Sequence, residues 1–204
     1  YIANEVACDY NAGFTAALGR MSREFGGDPI PDSQFPPIED SYGLEMFVEA
    51  SVIERGDSFV TLRCMLNNRS AWPARYSEDL AYRIYVDLSE VIAAGLDPAD
   101  VVVESGFLDG GRLSGLLPAS PADDLYYVEI SYLGEAIGPG PGTSSRRECQ
   151  VRIGLPGGSP AGSWNDANDP SISGLPFGQS AIVKTEMIPV YESGSLLYGQ
   201  EGVR

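Results

Sequence analysis

From Leu44 to Tyr198 apolar residues alternate with polar ones, and this period of two constrains the fold of the chain more than any other feature. Leu44, Met46, Val48, Ala50 and Val52 line one face of an extended segment. The same pattern predicts strands over 59–66, 80–86, 101–107, 126–133, 148–153, 182–190 and 196–198. Runs such as Glu54-Arg55-Gly56-Asp57, Leu108-Asp109-Gly110-Gly111 and Gly138-Pro139-Gly140-Pro141-Gly142 break them as turns do. Strands with one apolar face must bury it against another sheet, so the expected class is all-β. Its expected form is an antiparallel β-sandwich of the jelly-roll type. Residues 88–100 leave room for one helical turn.

A different period opens the chain. Ala7, Asn11, Phe14, Leu18 and Met21 recur at steps of three and four, which predicts one N-terminal helix over residues 4–23, ended by Gly26-Gly27. Asp28 to Ser41 then holds four prolines, which make a stiff, extended connector, and Phe35 and Ile38 suit contact with a surface. The expected organisation is therefore a helical piece over 1–25, a Pro-rich linker over 26–42 and a sandwich over 43–204.

Thirteen basic against twenty-nine acidic residues leave a net charge of −16, which excludes electrostatic capture of nucleic acid or an anionic membrane. No apolar run reaches membrane-spanning length, and the opening residues do not read as a signal peptide. Histidine is absent, which removes His-based triads, His-ligated zinc and imidazole acid–base chemistry from this chain. Cys8, Cys64 and Cys149 lack metal-ligand spacing. Cys64 is in phase with Val60, Leu62 and Leu66, and Cys149 with Val151 and Ile153, so both are expected in the core. Buried free thiols are the default; a Cys64–Cys149 disulfide requires those two strands to be neighbours, which the sequence leaves open.

Asn67-Asn68-Arg69-Ser70-Ala71-Trp72-Pro73-Ala74-Arg75 joins two predicted strands. Its amides and guanidinium groups suit sugar hydroxyls and the Trp72 indole suits an apolar sugar face. The same residues also make a packed corner, with the indole plugging one end of a sandwich. This run resembles the signature of family 3 carbohydrate-binding modules of subtype c, which are fused to family 9 endoglucanases. The resemblance covers about residues 43–199 and extends to further motifs in the same order. These are Phe47-Val48-Glu49-Ala50-Ser51, Tyr85-Val86-Asp87-Leu88-Ser89-Glu90, Tyr126-Tyr127-Val128-Glu129, Trp164-Asn165-Asp166-Ala167-Asn168-Asp169 and Lys184-Thr185-Glu186-Met187-Ile188-Pro189-Val190-Tyr191. The linker start Gly26-Gly27-Asp28-Pro29-Ile30-Pro31 is similar to the link between the two domains of such enzymes.

Tyr1, Glu5, Ala7, Asn11 and Ala12 resemble the last helix of a family 9 glycoside hydrolase domain, and the resemblance makes Glu5 the general acid. Read alone, Glu5 is a carboxylate in the first turn of a helix, where it complements the dipole. An inverting hydrolase needs a second carboxylate roughly 6.5–9.5 Å away to activate water. The family carries it in Asp-Ala-Gly-Asp, and this chain has no such run. The expectation is a C-terminal piece of a secreted, extracellular, inverting endo-1,4-β-glucanase that is not an enzyme by itself. Residual endoglucanase activity through Glu5 is the alternative, and a sandwich that binds only protein is a third reading.

The resemblance implies cellulose or cello-oligosaccharide chains and the family 9 catalytic domain as partners, without nucleic acid or membrane. Strong binders of the family carry a flat aromatic strip. Here the strip tryptophan falls at Ala161 and the strip tyrosine at Leu113, and no Asp-His pair stands in 92–100. Arg146, Glu148, Gln150 and Arg152 share the opposite phase to Cys149 and Val151 and are expected as a polar ladder that holds one glucan chain weakly. An ordinary solvated strand face has the same pattern. Exposed polar substitutions there are expected to move stability by no more than about 0.5 kcal/mol. A shallow groove of the family points to Arg75, Tyr127 and Tyr191. A structural calcium ion is implied at Asp87, Asn165, Asn168 and Asp169 with the backbone carbonyl of Tyr85; read alone, such an Asn/Asp run is a turn.

Overall fold

The computed structural model describes residues 8–28, 30–34, 46–70, 74–140 and 142–202. It divides into two compact units, Tyr1–Asp40 and Ser41–Arg204, each considered by itself. In the first, α1 (Cys8–Phe25) stands over most of the predicted span. It ends where Gly26, at φ 69°, donates its amide to the Ser22 carbonyl at 3.0 Å, the left-handed stop that glycine adopts without strain. Phe14, Leu18, Met21 and Phe25 recur on one stripe of α1, and all are half or more exposed. One turn of 3₁₀ helix, Asp32–Gln34, follows. Phe35 and Ile38 lie outside the described residues.

The second unit is the expected sandwich. Its strands are β1 (Met46–Gly56), β2 (Phe59–Asn68), β3 (Leu80–Asp87), β4 (Val102–Leu108), β5 (Arg112–Ser120) and β6 (Leu125–Ser131). They continue with β7 (Arg146–Gly154), β8 (Val183–Thr185), β9 (Val190–Glu192) and β10 (Ser195–Tyr198). The first sheet runs β4-β7-β2-β1-β8 and the second β10-β9-β3-β6-β5, and every pairing is antiparallel. A short helix, α2 (Ser89–Ala93), and a single turn at Pro98–Asp100 occupy the 88–100 segment. The chain crosses from the first sheet to the second between β4 and β5, where Gly110 takes φ 74°.

Two elements differ from expectation for local reasons. β5 carries Gly115 and Pro118, which interrupt its alternation; an edge strand tolerates both because its outer ladder is unpaired, and β5 is an edge with two register shifts. The predicted strand 182–190 is two strands, β8 and β9, that belong to different sheets. The inward residues interlock between the sheets: Val48, Ala50, Val60, Leu62, Cys64, Val151 and Ile153 from the first face Tyr82, Ile84, Val86, Val128 and Ile130 from the second, all buried. Each fully buried Leu, Ile or Val contributes about 1.5–3 kcal/mol relative to an exposed one. Cys64 and Cys149 are register partners on neighbouring strands, and both thiols are free. Among the described residues no helix is long and apolar enough to cross a membrane.

Candidate functional site

Antiparallel register places directly opposed residues on one face, so the outward face of the first sheet can be read strand by strand. β7 presents Arg146, Glu148, Gln150 and Arg152 outward, as the alternation predicts. β2 sets Asn67, Met65, Arg63 and Thr61 against them in the same order. The four ladder residues are not equally free. Arg63 donates to both oxygens of Glu148, Nε to Oε1 at 2.9 Å and Nη2 to Oε2 at 2.8 Å, and its Nη1 donates to the Gln179 carbonyl at 2.8 Å. Gln150 donates to Glu148 Oε1 at 3.0 Å. The Arg63 guanidinium, with help from the Gln150 amide, holds the Glu148 carboxyl below its ordinary value. Arg152 stacks 3.4 Å from the centroid of the Phe59 ring, while Arg146 is exposed. Glu148 is therefore a fixed acceptor, and the expectation of negligible stability change on replacement does not extend to it: its pair is four-fifths buried.

Phe107 lies on this face out of reach of alternation. In β4, Glu104 opposes Arg152 and Ser105 opposes Val151, but Phe107, not Gly106, opposes Gln150. Gly106 is the extra residue of a β-bulge, and a bulge re-aims the side chains after it. Strict alternation from Val103 and Ser105 turns Phe107 inward; the bulge turns it outward, half exposed beside Gln150. Leu113, where the strip tyrosine was expected, is packed against the core, and Ala161 is exposed. The charge on this face also departs from the chain average. Arg63, Arg146, Arg152 and Lys184 face outward with Glu49, Glu54, Glu104 and Glu148, four cations against four carboxylates on a chain of net charge −16.

Asn67, Asn68 and Ser70 are spent on the fold. Asn68 Nδ2 donates to the Arg75 and Ile137 carbonyls, both at 2.8 Å, and its Oδ1 accepts from the Ser70 amide and hydroxyl. Asn67 donates to Glu49 and to the Met65 carbonyl. These contacts favour the packed corner; Trp72 lies outside the described residues, as does Glu5.

The outward face of the second sheet gathers Tyr127 and Tyr191 around a residue the sequence reading missed. The Arg83 guanidinium lies 4.6 Å from the Tyr127 ring centroid and 4.2 Å from that of Tyr191, and its Nε donates to Glu129 at 2.9 Å. The Tyr85 and Tyr191 hydroxyls are 3.0 Å apart, and Tyr191 donates to Glu201 at 2.9 Å. Burial, then these hydrogen bonds, push the Tyr191 phenol well up, so it stays a donor. Arg75 does not join them. It pairs with Glu192, which neighbours Tyr191 in the strand and so points to the other side of the sheet.

The Asn165–Asp169 segment meets the end of β3. The Asp87 amide donates to Asp169 Oδ1 at 2.7 Å, and the Ser89 amide donates to Asp87 Oδ1 at 2.9 Å. Asp169 Oδ2 and Asn168 Oδ1 are buried without a hydrogen-bond partner. Burial pushes the Asp169 carboxyl well up, and the charges of Glu90, Asp166 and Asp87 push the same way. Two orphaned hard oxygens on consecutive residues fit a calcium ion. Asn165 is exposed, with Oδ1 accepting from the Ala167 amide, and the Tyr85 carbonyl accepts from the Ser171 amide at 3.2 Å. Among the described residues no three His, Cys, Asp or Glu side chains gather as a ligand set, so a cation here draws on amide and carbonyl oxygens.

Residues 47–199 match the cellulose binding domain family CBM3. The chain belongs to this family. As a cellulose binding domain it is 39% identical over 199 residues to Endoglucanase A of Bacillus pumilus, covering 98% of this chain and 29% of that protein. It is 38% identical to Endoglucanase B of Cellulomonas fimi, covering 98% of this chain and 18% of that one. The crystal structure of endoglucanase CelQ from Clostridium thermocellum complexed with cellotetraose superposes with a TM-score of 0.79 at 38% identity, covering 96% of this chain and 32% of that one. The cellulose binding domain thus spans less than a third of each of these relatives. The matches run past the family limits at 47 into the N-terminal unit, so α1 and the linker have counterparts in the endoglucanases as well.

Proposed function

We propose that this chain is a non-catalytic cellulose-binding module of subtype c that holds a single glucan chain weakly on the outward face of its first sheet. It passes that chain to the family 9 catalytic domain of an extracellular endoglucanase. The observation that carries this reading is a face on which Arg146, Gln150, Arg152 and the Arg63-braced Glu148 stand among four cations and four carboxylates, on a strongly acidic protein. Glucan hydroxyls are uncharged donors and acceptors, so they are matched by neutralised forks and amides, not by a charged field. Phe107 adds one apolar ring beside Gln150 for a sugar face. A single half-exposed ring suits one hydrated chain, because gripping a crystal requires a row of them.

The apolar stripe of α1 supports the rest of the proposal. Phe14, Leu18, Met21 and Phe25 form the kind of face a helix buries, and the matched endoglucanases extend far beyond this chain. We read α1 as the last helix of the catalytic domain, with Glu5 as its general acid and 26–42 as the link. Calcium is proposed as a structural ion held by Asp87, Asn168 and Asp169, with Asn165 and the Tyr85 carbonyl nearby. When bound it supplies the positive charge that lets Asp169 stay ionised in its buried position.

The test is binding and partnership. This chain should retard on gels containing amorphous cellulose and should raise the activity on insoluble cellulose of a separately made catalytic domain from a relative. Release of reducing sugar by this chain alone, lost on Glu5→Gln, would instead support the hydrolase reading; neither binding nor stimulation would remove both.

A further inference from the structure

The calcium reading above leaves one carboxylate at the loop without a role. Glu90, in the first turn of α2, receives hydrogen bonds from both ends of the Asn165–Asn168 stretch. Its Oε1 accepts from the Asn165 amide at 2.9 Å, and its Oε2 accepts from Asn168 Nδ2 at 3.2 Å. The Ser89 hydroxyl lies 3.4 Å from the same Oε2. Asn168 is thus an amide with its donor end spoken for and its acceptor end buried without a partner.

An asparagine amide has two nearly isosteric orientations, and the hydrogen-bond partners choose between them. The other orientation would put Nδ2 at the buried position that Oδ1 now holds without a partner. That flip would remove an oxygen ligand. It would also set the amide oxygen of Asn168 against the Glu90 carboxylate, acceptor against acceptor. Glu90 therefore opposes the orientation that would close the site.

We infer that Glu90 is a positioning residue for the proposed calcium ion: it holds the Asn168 amide with Oδ1 turned into the loop beside Asp169, and is not itself a ligand. Outer partners of this kind typically change metal affinity by about 10–100-fold when removed. The inference rests on the calcium reading, and its test separates the two.

Calcium affinity is measured by calorimetric titration of chelator-treated protein for the wild type, Glu90→Gln, Glu90→Asp, Asn168→Asp and Glu90→Gln combined with Asn168→Asp. The wild type should bind, and Glu90→Gln should bind about 10–100-fold more weakly. Glu90→Asp keeps the charge but shortens the arm by one methylene, and should lose affinity as well. A carboxylate at 168 presents oxygen in either orientation, so Glu90→Gln should cost nothing in the Asn168→Asp background. Circular dichroism of each calcium-free variant checks that the sandwich is intact. Equal losses from Glu90→Gln in both backgrounds, or wild-type affinity in Glu90→Asp with a loss in Glu90→Gln, would show that charge alone acts and overturn the inference. Unchanged affinity in Glu90→Gln would overturn it too while leaving the calcium site standing. A wild type that takes up no calcium would remove the site itself.

Discussion

Removing Arg63 should destabilise the sandwich through the carboxylate it leaves behind. Arg63 and Glu148 share two hydrogen bonds at 2.9 and 2.8 Å, with each side chain only 21% exposed, so water replaces little of what is lost. Charge-assisted bonds of this kind contribute about 1.5–3 kcal/mol each to a charged partner, reduced here because Gln150 still donates to Glu148. A double-mutant cycle of Arg63→Ala and Glu148→Ala in urea denaturation should then give a coupling of about 1–2 kcal/mol at pH 7. The pH dependence follows from the direction of the Glu148 shift. Its folded value lies below the unfolded one, so the stabilisation is complete above the unfolded carboxyl value of roughly 4.3 and is lost as pH falls through the lower folded value. The coupling should therefore vanish in strong acid. A coupling near zero at pH 7, or one of the same size at pH 7 and in strong acid, would refute the reasoning.

Burial governs the two core thiols: it pushes Cys64 well up and Cys149 up to about 11, so neither should be labelled by a thiol reagent at pH 8 until the sandwich unfolds, as peptide mapping by mass spectrometry would report. Val151→Asp puts a carboxylate at a fully buried position between Cys64's strand and β4 and should abolish the cooperative urea transition, whereas Arg146→Ala on the outward face of the same strand should move it by no more than about 0.5 kcal/mol.

Alternation made the sandwich legible because an antiparallel sheet with one wet face repeats every two residues, and β2, β3, β6, β7 and β1 as far as Val52 obey that rule. It failed where the backbone departs from the rule. Gly115 and Pro118 hid β5, and the bulge at Gly106 reversed the facing of Phe107, which alternation assigns to the interior. The ladder on β7 was visible in one strand, but Arg63 was not, because its bond to Glu148 depends on register between strands 85 residues apart. The same limit explains Arg83, which reaches Tyr127 and Tyr191 from a third strand, while Arg75 was named from the groove that the resemblance implies and pairs with Glu192 on the other side of the sheet. Asn168 and Asp169 were nameable from their motif; that Glu90 accepts from Asn168 was not, since the two stand 78 residues apart.

The most direct measurement is an amide chemical-shift titration of the folded chain with cellohexaose. The account predicts fast-exchange shifts concentrated on β7, β4 and β2 around Arg146, Gln150, Phe107 and Arg63, and their loss in an Arg146→Ala, Gln150→Ala, Phe107→Ala variant that keeps its fold. Shifts centred on Arg83, Tyr127 and Tyr191, or shifts in the triple variant equal to those of the wild type, would contradict it.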